Sequence, residues 1–392
     1  MQIYLVGGAV RDRLLKRPIK DKDFVVVGAT VTEMIDAGFQ QVGADFPVFL
    51  HPTSHEEYAL ARTERKQGSG YKGFSVHASP DISLEDDLRR RDLTINAMAI
   101  EVTSLTDDTP IDGQVIDYYG GLQDLESKTL RHVSNAFSED PLRVLRTVRF
   151  YSRYYDLGFS IADDTLTLMR QLVDTGELAH LSAERIWQES SRATMQLSPQ
   201  VYWQKLFEIG AFIEYFAPLH HAWDNVQIRE TVQTALYFAG QMRLNLSQRW
   251  ALLMTSLSSS LFNSENSEST SNVSTAIKNI SGIGNKAKVP KAHTQFATLF
   301  VQQAEKLSTI NNLNAAEKID LIQACGAHKE PDKLSQLLVC SHVLQLATQH
   351  CQMMLALNSF HAVSMTDIAP DLKGPAIGAA LRQSRIEHLQ VQ

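Results

Sequence analysis

The residues whose types and spacing could carry chemistry first appear in the opening stretch, MQIYLVGGAVRDRLLKRPIKDKDFVVVG. Asp21 and Asp23 stand two residues apart at the start of an apolar, strand-like run, so both side chains are predicted to point to one face. Two carboxylates placed in this way can share divalent cations, which clamp the attacking and leaving oxygens of a phosphoryl or nucleotidyl transfer. Taken alone, such a pair is more often two solvated aspartates in a loop.

The residues upstream favour the metal interpretation. Gly7 and Gly8 follow a strand-like run and lack a Cβ, so backbone N–H groups can approach a phosphate, and the N-terminus of the predicted helix after them adds a positive dipole end. Arg11, one helical turn later, can add a guanidinium fork that suits paired phosphate oxygens. Together these residues predict one site that holds a nucleotide and its metal ions.

A second charged cluster lies in LEDDLRRRDLTINAMA, where three arginines, 89–91, precede Asp92. One interpretation is a solvated helix face with i,i+4 pairs such as Glu85 with Arg89. The apolar residues that follow favour partial burial instead. In that case Arg91 could bind a phosphate and Asp92 a ribose hydroxyl.

A third cluster, SEDPLRVLRTVRFYSRYY, begins with a helix-start signature, Ser138 to Pro141. The arginines after it recur every three or four residues and form one basic stripe, which is either a salt-bridged surface or a wall that binds phosphates and base edges. Asp140 is an acceptor and Arg143 a multiple donor one turn later, so the two together could imitate the pairing edge of a base. The stripe consists of Arg143, Arg146, Arg149 and Arg153.

The elements that must position these clusters change in character along the chain. Up to about residue 135, short strand-like runs alternate with helical stretches, whereas from Pro141 onward apolar residues recur at helical spacing. A Gly-interrupted stretch at 62–74 is predicted to be a mobile loop that moves over a bound nucleotide, although composition fits a passive surface loop nearly as well. A Ser- and Asn-rich run follows Thr255, and its first half is predicted to be a flexible connection.

Composition sets the remaining bounds. The chain has 392 residues, 44% hydrophobic and 21% charged, as in an ordinary globular protein of two or more domains. It shows neither a signal peptide nor a membrane-spanning segment, so we expect a cytoplasmic location and no membrane partner. The net charge of −7 argues against general coating of nucleic acid but leaves room for a local basic groove. Cys325, Cys340 and Cys351 lack zinc-site spacing and are predicted to be idle, reduced thiols.

The clusters resemble, in order, the motifs of the class II tRNA nucleotidyltransferases, the CCA-adding enzymes. The matching motifs are GGAVRD at 7–12, DKD at 21–23, RRD at 90–92 with Asn96, and EDPLRVLRTVRF at 139–150. VGADFPVFLHP and ARTERKQGSGYKGF resemble the bacterial CCA-adding branch in particular. The related bacterial poly(A) polymerases usually carry a Gly-Arg-Arg-Phe-like element after the first metal motif, which this sequence lacks. The match is dense over about 155 residues and looser, through LSAERIWQE at 181–189, to about residue 250.

The resemblance implies a role for each cluster residue. Asp21 and Asp23 would hold Mg²⁺, with Glu57 as a candidate third carboxylate, and the loop around Glu64 and Arg65 would switch the enzyme to the final adenosine. The other implied nucleotide contacts are Gly8 and Arg11 to the incoming nucleotide, Arg91 and Asp92 to phosphate and ribose, Asp140 and Arg143 as the protein template for CTP and ATP, and Arg146 and Arg149 in support.

The implied fold is α+β, a polymerase-β-type nucleotidyltransferase head with a mixed sheet, followed by an all-α neck, body and tail. The tail would be a diverged remnant of the phosphohydrolase domain of longer relatives, because Thr255-Ser256 stands where those relatives carry His-Asp, and we expect no phosphohydrolase activity. The expected divisions are a catalytic head at 1–138, a neck with the nucleotide-selecting helix at 139–200, a body at 201–254, a linker at 255–285 and a tRNA-positioning tail at 286–392.

The implied activity is addition of C, C and A to the tRNA 3′ end from CTP and ATP, with pyrophosphate released and no DNA partner. The alternatives are a poly(A) polymerase, an enzyme that adds only CC or only A, and a catalytically silent RNA-binding relative. The intact 62–74 stretch and the Asp140–Arg143 pair favour the complete activity.

Overall fold

The computed structural model describes residues 1–42, 48–66, 74–102, 113–262, 269–344 and 350–391. Of the predicted mobile loop at 62–74, residues 67–73 lie outside this description. The chain divides into two compact units. The first comprises Met1–Ala193 and Val201–Glu214, and the second comprises Thr194–Gln200 and Tyr215–Gln392.

A seven-stranded mixed sheet with the strand order β3-β4-β5-β2-β1-β8-β9 forms the centre of the first unit. β6 and β7 form a separate antiparallel pair, and β10 and β11 a short parallel one. The strands are β1 Gln2–Val6, β2 Asp23–Val27, β3 Gln40–Val42, β4 Val48–Leu50, β5 Glu57–Leu60, β6 Arg62–Lys66, β7 Phe74–Ala78, β8 Met98–Glu101, β9 Val115–Asp117, β10 Thr129–Leu130 and β11 Ser160–Ile161.

The helices account for most of the remaining described chain. They are α1 Gly8–Leu14, α2 Val31–Asp36, α3 Leu84–Arg89, α4 Gly121–Glu126, α5 Leu142–Tyr154, α6 Asp163–Asp174, α7 Ala183–Thr194, α8 Pro199–Glu208, α9 Ile213–Trp223, α10 Val226–Gln241, α11 Leu246–Met254, α12 Ser269–Lys286, α13 Lys291–Ser308, α14 Ala315–Ala324, α15 Pro331–Val343, α16 His350–Ala362 and α17 Pro375–Val391. A mixed-sheet head followed by helices confirms the predicted α+β class.

The register of the sheet joins the two halves of the opening stretch. β1 and β2 are antiparallel, and Val6 pairs with Asp23. Gly7 therefore follows β1 at the end of the sheet where β2 begins with its carboxylate. β2 is parallel to β5, and this pairing places Glu57 on the other side of Asp23.

Both faces of the central strands are covered, as the nearly uninterrupted apolar sequence of β1 requires. Ile3 and Leu5 point into one core, which also contains Phe150 and Tyr154 of α5. Tyr4 and Val6 point into a second core on the opposite face, against α3. The helix that carries the arginine stripe is thus fixed to the sheet by its own apolar side chains.

The second unit is helical, and part of the expected 255–285 linker is ordered within it. α12 occupies 269–286, whereas residues 263–268 lie outside the described chain. Ala276, Ile280 and Ile283 recur at helical spacing and are almost fully buried, so this apolar stripe outweighs the helix-disfavouring Ser and Asn content. The linker interpretation is wrong for this part of the chain.

The polar pair after α11 is built into the second unit. Thr255 and Ser256 are buried, and their hydroxyls donate to the carbonyls of Leu252 and Leu253. Ser256 Oγ also accepts a hydrogen bond of 2.9 Å from the buried Trp223 indole. These side chains therefore close the end of the helix and fix a core tryptophan.

The two cysteines whose side chains are described are free and buried in the second unit. Burial raises the pKa of the Cys325 thiol to about 12 and also raises the pKa of Cys340. Because the thiolate is the reactive form, both thiols are unreactive, as the sequence predicts. The side chain of Cys351 lies outside the description.

Candidate active site

All the residues singled out as candidate ligands line one cleft of about 580 Å³ in the first unit. Nine arginines and five carboxylates face this cleft, so it is basic although the chain as a whole is acidic. Such a surplus of guanidinium groups suits a polyanionic ligand. The predicted residues found there are Gly8, Arg11, Asp21, Asp23, Arg91, Asp92, Asp140, Arg143, Arg146 and Arg149.

The carboxylate side of the cleft is formed by the start of β2. Asp23 lies between Val6 of β1 and Glu57 of β5, and Asp21 precedes the strand in a segment without regular secondary structure. Although Asp23 as a residue is exposed, its carboxylate is partly desolvated by the cleft wall, and this desolvation raises its pKa. Arg91 opposes the rise in pKa and the neighbouring charge of Asp21 adds to it.

The donor set of this wall fits a magnesium ion that is shared with a substrate. Among the described residues, no group of three or more His, Cys, Asp or Glu side chains could hold a metal by itself. Mg²⁺ is usually bound by one or two carboxylates, and substrate phosphates and water complete its shell. Asp21 and Asp23 supply such a pair. Desolvation and the charge of Asp21 raise the pKa of Asp23, and a bound cation would offset both effects. Glu57 lines the same cleft without forming a three-carboxylate cluster.

The turn after β1 requires glycine for two reasons. Gly7 has a φ of +70°, a conformation that disfavours side chains. A Cβ at this position would also lie 2.9 Å from Arg91 Nη1, closer than van der Waals contact allows. Gly7 therefore lets the arginine of the second cluster approach the turn that begins α1.

A chain of hydrogen bonds joins the three sequence clusters. Arg11 of the first donates to Asn96 Oδ1, and Asn96 Nδ2 donates to Asp92 Oδ1 at 3.0 Å. Arg146 of the third donates from Nε and Nη2 to Asp92 Oδ2, each at 2.9 Å. Asp92 is buried and accepts from several donors, so it is a structural centre of the cleft as well as one of its lining residues.

Of the two interpretations of the second cluster, the solvated helix face is wrong, because Asp92 is buried. α3 ends at Arg89, so Arg91 and Asp92 lie in the turn after it and not on a charged helix face. The Arg11 guanidinium is also almost fully buried, paired with Asp12 at 2.9 Å and placed 5.1 Å from the Phe150 ring centroid. The local composition could not reveal the burial of Arg11, because the ring that covers its guanidinium comes from α5.

The base-reading candidates are held by their surroundings. Arg143 is buried and donates to the carbonyl oxygens of Ala136 and Arg90. Asp140 Oδ1 accepts from the Leu142 backbone N–H at 3.1 Å, just before α5 begins. Asp140 Oδ2 accepts from Arg185 Nη2 at 2.9 Å.

The arginine stripe of α5 forms an arginine wall of the cleft. All four arginines line the cleft, so the reading of the stripe as a salt-bridged outer surface is wrong. Arg149 Nε donates to Glu189 Oε2 at 2.5 Å, and Arg146 Nη1 lies 3.9 Å from Glu189 Oε1. Glu189 is 2% exposed, so one buried carboxylate on α7 holds two arginines of the wall.

Two family models match this chain. Residues 3–131 match the family model described as the poly A polymerase head domain, and residues 158–223 match the one described as a probable RNA and SrmB-binding site of polymerase A. The first part of the chain therefore matches a nucleotidyltransferase head, and the chain is a nucleotidyltransferase. The sequence resemblance to the class II enzymes is thereby confirmed.

Solved structures of CCA-adding enzymes share the fold of this chain along its length. An apo form II of a CCA-adding enzyme has a TM-score of 0.69 at 21% identity and covers 99% of this chain and 88% of its own. A CCA-adding enzyme in complex with ATP has a TM-score of 0.65 at 20% identity, with 99% and 86% covered. The Thermotoga maritima CCA-adding enzyme complexed with tRNA has a TM-score of 0.65 at 19% identity, with 100% and 88% covered.

No helix in the described part of this nucleotidyltransferase is long and apolar enough to span a membrane. Two residues of its cleft network, Arg185 and Glu189, were not assigned a role from sequence. Both lie in the LSAERIWQE motif, four residues apart on α7. The sequence signals for them were the looser family resemblance of this motif and the i,i+4 spacing, which equally describes an exposed helical ion pair.

The buried aspartates of this nucleotidyltransferase predict a loss of stability in acid. Burial alone would raise the pKa of Asp92, but Arg146 and the Asn96 hydrogen bond outweigh it and leave the pKa well below the ordinary value. The pKa of Asp87 is also lowered, because Arg90 and Arg91 outweigh the effect of its burial. The pKa values of both aspartates are lower in the folded than in the unfolded state. The two carboxylates therefore stabilise the fold fully above the ordinary aspartate pKa, and this stabilisation is lost as the pH falls through and below that value. We expect the free energy of unfolding of the head to decline steadily below about pH 5, and Asp92→Asn to flatten that decline in urea titrations made at several pH values.

Proposed function

We propose that this chain is a CCA tRNA nucleotidyltransferase that adds C, C and A to the 3′ end of tRNA from CTP and ATP, without a nucleic-acid template. Pyrophosphate is the product of each addition. The proposal includes the division into head, neck, body and tail. Every residue of the cleft lies in the proposed head and neck. CCA-adding enzymes of this fold have been solved with CTP, with ATP and with tRNA.

The observation that carries the proposal is the presence of two kinds of group in one cleft. Asp21 and Asp23 supply a site for metal-assisted phosphoryl chemistry, and Asp140 with Arg143 supply an acceptor and a donor for a base. A hydrogen-bonded chain through Asn96 and Asp92 connects the glycine turn to the arginine wall. A cleft that fixes a triphosphate and also presents base-reading groups suits an enzyme that chooses its nucleotide by itself.

In each addition the tRNA 3′-hydroxyl oxygen attacks the α-phosphorus, the bond to the bridging oxygen breaks, and pyrophosphate leaves as the hydroxyl proton passes to solvent. Magnesium bound by Asp21 and Asp23 would lower the pKa of the attacking hydroxyl and stabilise the leaving oxygen. The protein contributes by positioning the triphosphate and compensating its charge. Arg91, held beside Gly7 by Asp87, is placed to contact a phosphate.

Base selection would depend on the donor and acceptor pattern at Asp140 and Arg143. Cytosine and adenine both present an exocyclic amino group where uracil and guanine present a carbonyl oxygen. The acceptor-only carboxylate of Asp140 can bond to the amino group and repels the carbonyl. One pair of side chains can therefore accept CTP and then ATP and reject UTP and GTP.

A poly(A) polymerase is the second candidate, because the matched family model is described by that activity. Both candidates share the carboxylates and the arginine wall, so they differ only in which nucleotide is admitted at each step. Enzymes that add only CC or only A would also share these groups. The distinction has to come from the order and number of additions.

The deciding experiment uses purified protein, Mg²⁺ and a tRNA transcript that lacks its last three nucleotides. Each labelled nucleotide is supplied singly and in pairs, and product length is read on a sequencing gel. We expect two additions with CTP alone and a third that stops at A once ATP is present. A long ladder with ATP alone would identify a poly(A) polymerase, and tRNA binding without incorporation would identify a silent relative.

A further inference from the structure

The helix α7 contacts the base-reading side of the cleft through Arg185, a residue outside the motifs that define the nucleotide site. Arg185 Nη2 lies 2.9 Å from Asp140 Oδ2, and the side chains are 24% and 18% exposed. Both residues line the cleft. This ion pair is therefore shielded on most sides yet borders the space where a base would lie.

Asp140 is restrained at both carboxylate oxygens. The Leu142 N–H donates a hydrogen bond to Oδ1, and Arg185 Nη2 donates one to Oδ2. A carboxylate has about four lone-pair sites, so each oxygen can still accept one further hydrogen bond. The two contacts fix the plane of the carboxylate without consuming its capacity to bind a ligand.

α7 can impose this restraint because it is itself anchored to the arginine wall. Glu189, four residues after Arg185 on the helix, is buried and bonded to Arg149 of α5. The side chains of residues four apart lie on one helix face. The same face of α7 therefore supports the wall through Glu189 and reaches the base-reading carboxylate through Arg185.

We propose that Arg185 is a specificity-determining residue, which holds Asp140 in the orientation that accepts a hydrogen bond from the exocyclic amino group of cytosine or adenine. This inference rests on the proposed function. Arg185 acts through Asp140 and is a positioning residue. Without it, the carboxylate can rotate about its Cα–Cβ and Cβ–Cγ bonds and no longer presents a fixed acceptor to the base.

The test compares Arg185→Ala with wild-type protein in single-nucleotide incorporation, for CTP against UTP and for ATP against GTP. A well-placed base contact discriminates by roughly ten- to several hundredfold, so we expect the kcat/KM ratios to fall by about tenfold or more. KM for CTP should rise more than kcat falls, because Asp140 contacts the base and not the reacting phosphorus. Arg170→Ala, an exposed arginine on α6, is the control and should retain wild-type ratios.

Two further variants separate positioning from a general structural role. Arg185→Lys keeps a cationic donor, should fold as the wild type does by circular dichroism, and should restore part of the selectivity. In an Asp140→Asn background, adding Arg185→Ala should change the ratios no further, because the residue acts through that carboxylate. Additive losses in the double variant would overturn the proposal.

The outcomes also distinguish this inference from the proposed function. If the wild-type protein adds only A, the CCA assignment fails, whereas the ATP-to-GTP ratio still tests Arg185. Wild-type CCA addition with unchanged ratios in Arg185→Ala would overturn this inference alone. A wild-type protein that incorporates no nucleotide would overturn both.

Discussion

Asp21→Ala and Asp23→Ala should each abolish nucleotide incorporation while binding of tRNA remains largely intact. The two carboxylates are the acidic pair at the start of β2 and face a cleft that is otherwise rich in arginine. A metal bound there would contribute several kcal/mol to the transition state, so losing a ligand should lower kcat/KM by at least about a thousandfold. Incorporation of labelled CTP and filter binding of tRNA measure the two properties separately.

Two nearby carboxylates sharpen this prediction. Glu56 precedes β5 and is paired with Lys22 at 3.1 Å, outside the cleft lining, so Glu56→Gln should retain wild-type activity. Glu57 faces the cleft beside Asp23, and Glu57→Gln tests whether it assists the pair. Wild-type turnover in Asp21→Ala or Asp23→Ala would contradict the assignment of these residues as metal ligands.

Glu189→Gln should destabilise the region around α5 and α7 by about 3 kcal/mol or more. The substitution keeps the shape of the side chain but removes the charge that neutralises Arg149, which is itself buried. Removing one partner of a buried ion pair leaves the other charge uncompensated, and this cost exceeds that of losing a hydrogen bond. Activity should also fall, because Arg146 and Arg149 line the cleft.

Amide hydrogen exchange in peptides from α5 and α7 measures this effect without assuming that a chain of two units unfolds in one step. The control is Glu208→Gln on α8, whose partner Lys205 lies three residues away near the surface. An ion pair of that kind contributes at most about 1 kcal/mol. Equal protection in Glu189→Gln and the wild type would show that the buried carboxylate does not hold the wall.

The sequence by itself determined the local elements and which residues are the candidate ligands. The strand-like runs before Gly7 and after the two aspartates form β1 and β2. The apolar residues that recur at helical spacing after Pro141 are buried in α5, including Val148 and Phe150. Short-range periodicity is sufficient for such elements, and the order of the charged motifs was sufficient to group Asp21, Asp23 and the arginines, which line one cleft.

Only the tertiary structure decided how those charges are compensated. The sequence could not show that Arg11 is buried, that Asp92 connects two motifs through Asn96 and Arg146, or that α7 contributes Arg185 and Glu189. Arg11 and its hydrogen-bond partner Asn96, for example, are separated by 85 residues along the chain. Periodicity reports which face of an element is apolar, whereas ion pairing in a cleft depends on which elements the folded sheet brings together.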